Sequence, residues 1–236
     1  MKQSRREFLV IAGAAVVAGL LPLNAFAAGK LRIGIVGSGN VGSAIGASWV
    51  RAGHEVMFSS LNIEHDKALA ARLGGGARAG TPREAAEFGE VVMISVPYHA
   101  LPDVGKTVGD LLKGKVVIDT NNPFTHRDGE TGKWALEKGA GLASKELLPG
   151  ARIVRAFNAI AAAKMGAAYQ EPGKVGMPIA SDDAQAVEIA SRLRRDVGYE
   201  PVLIGGLEKG KYLMPGTELA GERNAEEIKK IAAGLK

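Results

Sequence analysis

Residues 31–42, which read Leu-Arg-Ile-Gly-Ile-Val-Gly-Ser-Gly-Asn-Val-Gly, decide the fold of this 236-residue chain. An apolar, β-branched run enters a glycine turn at Gly37, a helix rich in small residues follows, and Gly53 ends it before a second apolar run. This order predicts a strand, a helix and a parallel strand, which together form a βαβ unit. The spacing Gly-x-Gly-x-x-Gly at such a turn indicates a dinucleotide-binding site.

Each glycine of the turn has its own physical role. Gly37 makes the tight turn, Gly39 lets the backbone approach a pyrophosphate, and Gly42 lets the helix lie close to the strand. The pyrophosphate would rest on amides at the positive end of the helix. We therefore expect the turn to bind the dinucleotide through Gly37, Ser38, Gly39, Asn40, Val41 and Gly42.

The rest of the chain continues the same pattern. Further apolar runs, at 91–96, 115–119 and 152–157, predict strands buried on both faces of a parallel sheet. The predicted fold class is α/β, a Rossmann-type doubly wound and mostly parallel sheet, with a short C-terminal extension from about residue 205. Residues 125–133 are polar and contain glycine, and we expect an exposed loop there. Residues 28–236 would form one NAD(P)-binding domain.

The N-terminus has the three-part layout of a signal peptide. A paired Arg5-Arg6 with Phe8 and Leu9 behind it is typical of a twin-arginine signal, and an apolar run then leads to Ala25-Phe26-Ala27. Pro22 closes that run before the roughly 20 residues that a membrane span needs. We expect residues 1–27 to be removed, and the twin-arginine machinery to export the chain to the periplasm without a membrane span. An uncleaved anchor is the alternative.

Composition excludes several classes of function. The chain has no cysteine, which excludes disulfides, thiolate metal sites and cysteine nucleophiles. Its basic residues are scattered and its aromatic content is 5%, so nothing favours a nucleic-acid partner. No helical His-Glu-x-x-His or Gly-x-Ser-x-Gly motif occurs, and we expect no metal site.

The end of the second strand bears on the choice of dinucleotide. An acid there binds the ribose 2′-hydroxyl of NAD, whereas hydroxyl and basic groups suit the 2′-phosphate of NADP. Residues 59–62 contain no acid, Ser59 and Ser60 can donate to a phosphate, and His65 and Lys67 lie nearby. The sequence favours NADP, with NAD as the alternative.

Polar and turn residues follow three of the predicted strands. Because ligands of open α/β sheets bind beyond the carboxyl ends of the strands, these residues should converge at one edge. We expect the set to line a nicotinamide site, although each could also serve only as a strand end or a turn. Two histidines in the adjoining loops, His99 and His126, are candidates for proton relay. The converging residues are Val96, Pro97, Asn121, Asn122, Asn158 and Ile160.

Four segments of the sequence resemble one known family. Residues 37–42, 95–97, 119–123 and 154–160 resemble the NADPH-dependent reductases of the deazaflavin coenzyme F420, and are similar to the reductase domain of the six-transmembrane ferric reductases. The similarity covers about residues 30–204. It implies hydride transfer between NADPH and a second planar redox ring of deazaflavin or flavin type. A small-molecule substrate would supply that ring, and the chain could form a homodimer.

The resemblance also implies a role for each residue. Ser59 and Ser60 would lie at the adenosine phosphate, and Val96 and Pro97 would back the nicotinamide. Two departures stand out, because the chain has Leu61 where the family has an arginine and Asn158 where the archaeal enzymes have a histidine. Candidates for a catalytic role are Asn158 and His99, and the residues that would line the nicotinamide amide or the second ring are Asn121, Asn122, Asn158 and Ile160.

Two other functions share this sequence pattern. The first is a dehydrogenase or imine reductase of a small acid, although such enzymes carry a large helical C-terminal domain and 32 residues follow Ile204 here. The second is an exported protein that binds NAD(P) without catalysis. Binding and hydride transfer use the same glycine turn, so the sequence leaves both open.

Overall fold

A computed structural model describes residues 29–166 and 171–235 of the chain. Its centre is an eight-stranded sheet with the order β3-β2-β1-β4-β5-β6-β7-β8. The strands are β1 (Arg32–Val36), β2 (Glu55–Ser59), β3 (Ala77–Ala79), β4 (Val91–Ile94), β5 (Val116–Asp119), β6 (Arg152–Arg155), β7 (Val175–Ala180) and β8 (Tyr199–Gly205).

Helices cover both faces of this sheet. The face with α1, α2 and α7 and the face with α3 to α6 each bury an apolar core against the strands. The helices are α1 (Asn40–Arg51), α2 (Ile63–Leu73), α3 (Pro82–Phe88), α4 (Leu101–Leu112), α5 (Thr125–Lys138), α6 (Ala140–Leu147), α7 (Ala184–Arg195) and α8 (Ala225–Ala232).

The topology confirms the predicted Rossmann-type sheet. Strands β1 to β6 pair in parallel, with the carboxyl ends of β1, β4, β5 and β6 at one edge. Strand β7 is antiparallel to β6, and the two pair at Arg155 and Ala180. After β8, the 3-10 segment Leu207–Tyr212 packs against α6, and α8 covers β7 and β8.

One local prediction was wrong. Residues 125–133 are not an exposed loop but the first part of α5, which bends at Gly129 where φ is 53°. The segment is polar because its buried members, Asp128 and Gly132, serve packing and hydrogen bonding instead of forming an apolar stripe. The short edge strand β3 was not predicted, since three residues carry too little pattern.

The predicted signal peptide, residues 1–27, lies outside the described residues. Within the described part of the chain, no helix combines the length and the apolar character needed to cross a bilayer.

Candidate functional site

The glycine turn between β1 and α1 has the geometry that its spacing predicts. Gly37 has a φ of +104°, and a Cβ placed on it would lie 2.2 Å from the carbonyl oxygen of Ser95. A Cβ on Gly42 would lie 2.1 Å from the Gly37 carbonyl oxygen, so helix and turn are in close contact. Gly39 differs, because no atom lies within 4 Å of its ideal Cβ. The space over Gly39 is therefore open.

The amides of the turn divide into two sets. The Gly37 and Ser38 amides donate to the Ser59 carbonyl at 2.9 and 3.0 Å, which fixes the turn to β2. The first turn of α1 has no side-chain cap and no acidic residue, and Gly39 and Asn40 are exposed. A helix leaves its first amides without intrahelical acceptors, and its N-terminus attracts anions. This end of α1 can hold a pyrophosphate.

Beyond β2 the structure corrects the prediction for Ser59. Its side chain is fully buried and its hydroxyl donates to the Ile35 carbonyl at 2.6 Å, so it does not present a donor to a phosphate. The Ser60 hydroxyl donates to Oδ2 of Asp66 at 2.8 Å. An acidic side chain therefore lies at the end of this strand, although residues 59–62 contain none.

Asp66 itself is fully buried in the first turns of α2. Its Oδ1 accepts the Ser38 hydroxyl and lies 3.3 Å from Nδ1 of His65, which ties the glycine turn to α2. Lys67, which we expected to help bind a phosphate, forms an ion pair with Glu64. His65 is thus the basic side chain at this end that faces the buried carboxylate.

A buried ion pair underlies the predicted nicotinamide site. Asp119 and Arg155 stand opposite each other in register at the carboxyl ends of β5 and β6, and both are fully buried. Nη1 of Arg155 donates to Asp119 Oδ2 at 2.8 Å and to the Asn121 carbonyl at 2.9 Å, and Nη2 donates to Asn122 Oδ1 at 3.1 Å. The pair thus positions the loop that follows β5.

The predicted asparagines do converge on this ion pair. Asn121 accepts the Val96 amide at 2.7 Å and donates to Asp119 at 2.7 Å, which locks its side chain inward. Asn122 donates to the Asn158 carbonyl at 2.8 Å. Oδ1 of Asn158 is buried and has no hydrogen-bond partner within the described residues. Since buried acceptors are normally paired, this oxygen is the group of the cluster that lacks a donor.

The chain reaches Asn158 through a strained residue. Phe157 has a φ of 63°, which is costly for a bulky side chain. Trp49 and Tyr199 pack edge-on against its ring at 6.0 Å, and the Arg194 guanidinium lies 4.8 Å from the ring centroid. Burial lowers the pKa of Arg194 to about 9. This packing holds Asn158 at the sheet edge.

The other three predicted lining residues are Val96, Pro97 and Ile160, and they lie at different depths in the structure. Ile160 is 5% exposed and belongs to the apolar core beneath α1, so its position is that of a core residue. Pro97 is exposed and Val96 is half-buried at the end of β4, beside the asparagine cluster. Only Val96 of these three is hydrogen-bonded to that cluster, through its amide.

The two candidate relay histidines have unlike surroundings. His99 is half-exposed, and its Nδ1 lies 2.9 Å from Oδ1 of the buried Asp128. His126 is exposed and its ring packs against Phe124 at 5.6 Å. Burial alone would raise the pKa of the Asp128 carboxyl, but its hydrogen bonds, led by those from Arg127, hold that pKa well below the ordinary value. His99 therefore faces a carboxylate.

Sequence reasoning missed four residues of this region. Asp119 and Arg155 could have been paired from the sequence, because they carry opposite charges at the ends of two apolar strands and parallel strands bring their carboxyl ends together. Asp66 lies four positions beyond residue 62, outside the segment in which an acid is expected. Asp128 stood in a segment interpreted as a loop. Among the described residues no three His, Asp or Glu side chains are grouped to hold a metal ion.

The sheet order and the glycine turn together define a Rossmann-type α/β fold, with the turn that dinucleotide-binding proteins of this fold use. Residues 32–123 match the model of a family described as NADP oxidoreductase, coenzyme F420-dependent. An F420-dependent NADP reductase of Methanothermobacter marburgensis is 28% identical over 196 residues, which cover 78% of this chain and 87% of that protein. The chain is therefore similar to F420-dependent NADP oxidoreductases, which confirms the resemblance of the sequence.

Solved structures show the same fold. A hypothetical protein from Sinorhizobium meliloti superposes with a TM-score of 0.69 at 24% identity, covering 83% of this chain and 96% of that one. A putative F420-dependent NADP reductase from Arthrobacter sp. FB24 superposes with a TM-score of 0.58 at 19% identity, covering 77% and 88%. At these identities the likeness establishes architecture, and function has to be argued from the site.

Proposed function

We propose that this chain binds NADP along the carboxyl edge of β1, β4, β5 and β6 and transfers a hydride between NADPH and a planar redox cofactor of deazaflavin F420 or flavin type. The observation that carries the proposal is the uncapped N-terminus of α1, with open space over Gly39, at the same sheet edge as the asparagine cluster. The names of the sequence relatives support the same reaction class.

The residues present fit such a dinucleotide. The open space over Gly39 and the free first turn of α1 would receive the pyrophosphate. The accessible surfaces of Val96, Pro97 and Asn122, at the ends of β4 and β5, would line the nicotinamide or the second ring. The nicotinamide supplies the hydride when bound, and the protein holds two rings in contact and excludes water.

Equilibrium titration of the full chain with NADPH and with NADH, followed by assays with F420, FMN and a cyclic imine, tests this function. We expect micromolar or tighter binding of NADPH and oxidation of it by the planar ring acceptors. Binding without transfer to any acceptor would favour the non-catalytic alternative. Oxidation by the imine alone would favour the imine reductase alternative. Failure to bind either nucleotide would contradict both binding functions.

The buried Asp66 leads to a prediction about nucleotide choice. Its carboxylate is buried behind Ser60, near the end of β2, and the 2′-substituent of the adenosine ribose is bound near this strand end in the fold. We expect Asp66→Asn to lower the Kd for NADP about tenfold, because a charge repulsion of roughly 1.4 kcal/mol is removed. The Kd for NAD should change about twofold or less. Titrations at low and high salt check this, and an equal change for both nucleotides would contradict it.

We also propose that the chain is exported folded, with its nucleotide already bound. The support is the twin-arginine layout of residues 4–27, because that route carries folded proteins and free NADPH is not expected outside the cytoplasm. The nucleotide would then be recycled by the second substrate instead of being exchanged.

Replacement of both signal arginines tests this proposal. We expect the wild-type chain in the periplasmic fraction of a bacterial host with about one NADP per protein after denaturation and mass spectrometry. Arg5→Lys with Arg6→Lys should keep the protein in the cytoplasm. The reverse exchange at two lysines outside the arginine pair, Lys2→Arg with Lys30→Arg, serves as the control. An exported protein that releases its nucleotide within seconds of dilution would contradict preloading.

A further inference from the structure

A second cluster of polar groups adjoins the asparagine cluster, and the function proposed above leaves it unused. The 3-10 segment Tyr98–Ala100 follows β4 directly and packs against α4 and α5. It carries His99, and α5 carries Arg127 and Asp128. These side chains lie where the chain leaves the sheet edge, next to the loop that holds Asn122.

The carboxylate of Asp128 organises this cluster. Its side chain is fully buried, its Oδ2 accepts the Phe124 amide at 2.8 Å, and its Oδ1 lies 2.9 Å from His99 Nδ1. Arg127 donates to both oxygens, from Nε at 2.9 Å and from Nη2 at 2.8 Å. The His99 amide also donates to Oδ1, at 3.3 Å, so five hydrogen bonds hold the carboxylate and the imidazole beside it is fixed.

The same arginine joins the cluster to the proposed nicotinamide site. Nη2 of Arg127 also donates to the Asn122 carbonyl at 2.7 Å, and the Asn122 side chain donates to the Asn158 carbonyl. Hydrogen bonds therefore link His99, through Asp128 and Arg127, to the loop that carries Asn122 and adjoins Asn158. This linkage holds the His99 side chain in a fixed position relative to the loop after β5.

The geometry fixes which edge of the imidazole is free. Because Nδ1 faces a carboxylate, it carries the ring proton in the neutral form. Nε2 has no hydrogen-bond partner in residues 29–166 and 171–235, and the side chain is half-exposed. A histidine with Nδ1 held by a buried carboxylate and Nε2 free can give and take a proton at Nε2.

We propose that His99 supplies the proton that accompanies hydride transfer, with Asp128 and Arg127 as positioning residues, and that the acceptor is a conjugated C=N or C=O compound. This inference rests on the proposed function. Nε2 releases a proton to a nitrogen or oxygen of the conjugated acceptor, while another of its atoms, a carbon in a deazaflavin or a nitrogen in a flavin, takes the hydride and its electron pair. The acceptor is reduced by two electrons, the nicotinamide is oxidised, and His99 regains a proton from solvent.

The charged groups around His99 are few. On α5 they are the carboxylate of Asp128 and the guanidinium of Arg127, which bond to each other. On α4, Asp103 and Lys106 form a separate ion pair and are both exposed. The carboxylate is therefore the group that directly stabilises the charged imidazolium.

His99→Gln, with His126→Gln as the matched control, tests the proton role. We expect His99→Gln to lower kcat about 100-fold, the usual size of a lost general acid, and to leave the Kd for NADPH unchanged. The wild type should lose rate with rising pH, because a general acid must carry its proton, and should show a solvent deuterium isotope effect. Both features should be absent in His99→Gln and present in His126→Gln.

A measurement without nucleotide or acceptor tests the positioning of His99. In the ¹⁵N spectrum of the ligand-free wild type, neutral His99 should carry its proton on Nδ1. Asp128→Asn should mix the two tautomers and lower kcat by a smaller factor than His99→Gln. If Asp128→Asn does not fold, Arg127→Gln should produce the same mixing of tautomers and the same smaller loss of kcat, because it removes two of the hydrogen bonds that hold the carboxylate.

The outcomes separate the two proposals. A wild type that binds NADPH but reduces no acceptor overturns the proposed function and this inference with it. An active wild type with His99→Gln equally active and with the same pH profile overturns the proton role alone. A neutral His99 protonated on Nε2 in the free protein overturns the role of Asp128.

Discussion

Gly39→Ala is expected to weaken NADPH binding between about tenfold and 100-fold while leaving the fold as stable as before. No atom lies within 4 Å of the Cβ that alanine would add, so the free protein can accept it. A bound pyrophosphate would occupy that space, and loss of its charge-assisted hydrogen bonds costs roughly 1.5–3 kcal/mol. Titration with NADPH, beside urea unfolding of the free protein, measures the two quantities separately.

Two other glycines serve as controls for that result. Gly42→Ala would bring a Cβ within 2.1 Å of the Gly37 carbonyl oxygen, so it should lower the free energy of unfolding by about 1–3 kcal/mol. Gly109 lies in α4 with nothing within 4 Å of its Cβ, and Gly109→Ala should leave binding unchanged. If Gly39→Ala bound NADPH like the wild type, the pyrophosphate would not lie over this turn.

Breaking the buried ion pair should have the largest effect on stability. Asp119→Asn leaves the Arg155 guanidinium buried without its carboxylate, and Arg155→Met leaves the carboxylate without its cation. Loss of one partner of a buried pair costs roughly 3–5 kcal/mol. We expect each single variant to lose about that much unfolding free energy, measured with urea at pH 7.

The double variant separates charge from shape at the same place. Asp119→Asn combined with Arg155→Met removes both charges, and an asparagine oxygen can still accept the Asn121 amide that Asp119 now binds. We expect its free energy of unfolding to exceed that of either single variant, which a double-mutant cycle quantifies. Losses that simply add would show that the two residues act independently.

The sequence predicted the glycine turn and the asparagine cluster because both depend on local rules. Gly37 and Gly42 are required by a turn whose spacing is fixed, and β-branched runs predict buried parallel strands whose carboxyl ends meet. Asn121, Asn122 and Asn158 follow such strands directly. Their convergence needed no information beyond the order of the elements.

The side chains that hold the site in place were harder to predict. Ser59 is predicted to donate to the adenosine phosphate, but its hydroxyl donates to the Ile35 carbonyl, because the direction of a side chain at a strand end depends on register. Asp66 and Asp128 lie on helices and bond to residues that are distant in the chain. Asp66 accepts a hydrogen bond from Ser38, and Asp128 bonds to His99. Polar residues within a helix look like solvent-exposed positions in the sequence, and packing alone reveals that they are buried.

In the proposed function, two rings meet at the edge of the sheet and exchange a hydride. A single turnover of the wild-type chain with NADPH deuterated at one or the other face of C4, and with oxidised F420 as acceptor, tests this exchange. We expect deuterium from one face to appear in the acceptor and deuterium from the other face to stay on the nicotinamide. Deuterium retained from both faces, with NADPH bound, would contradict it.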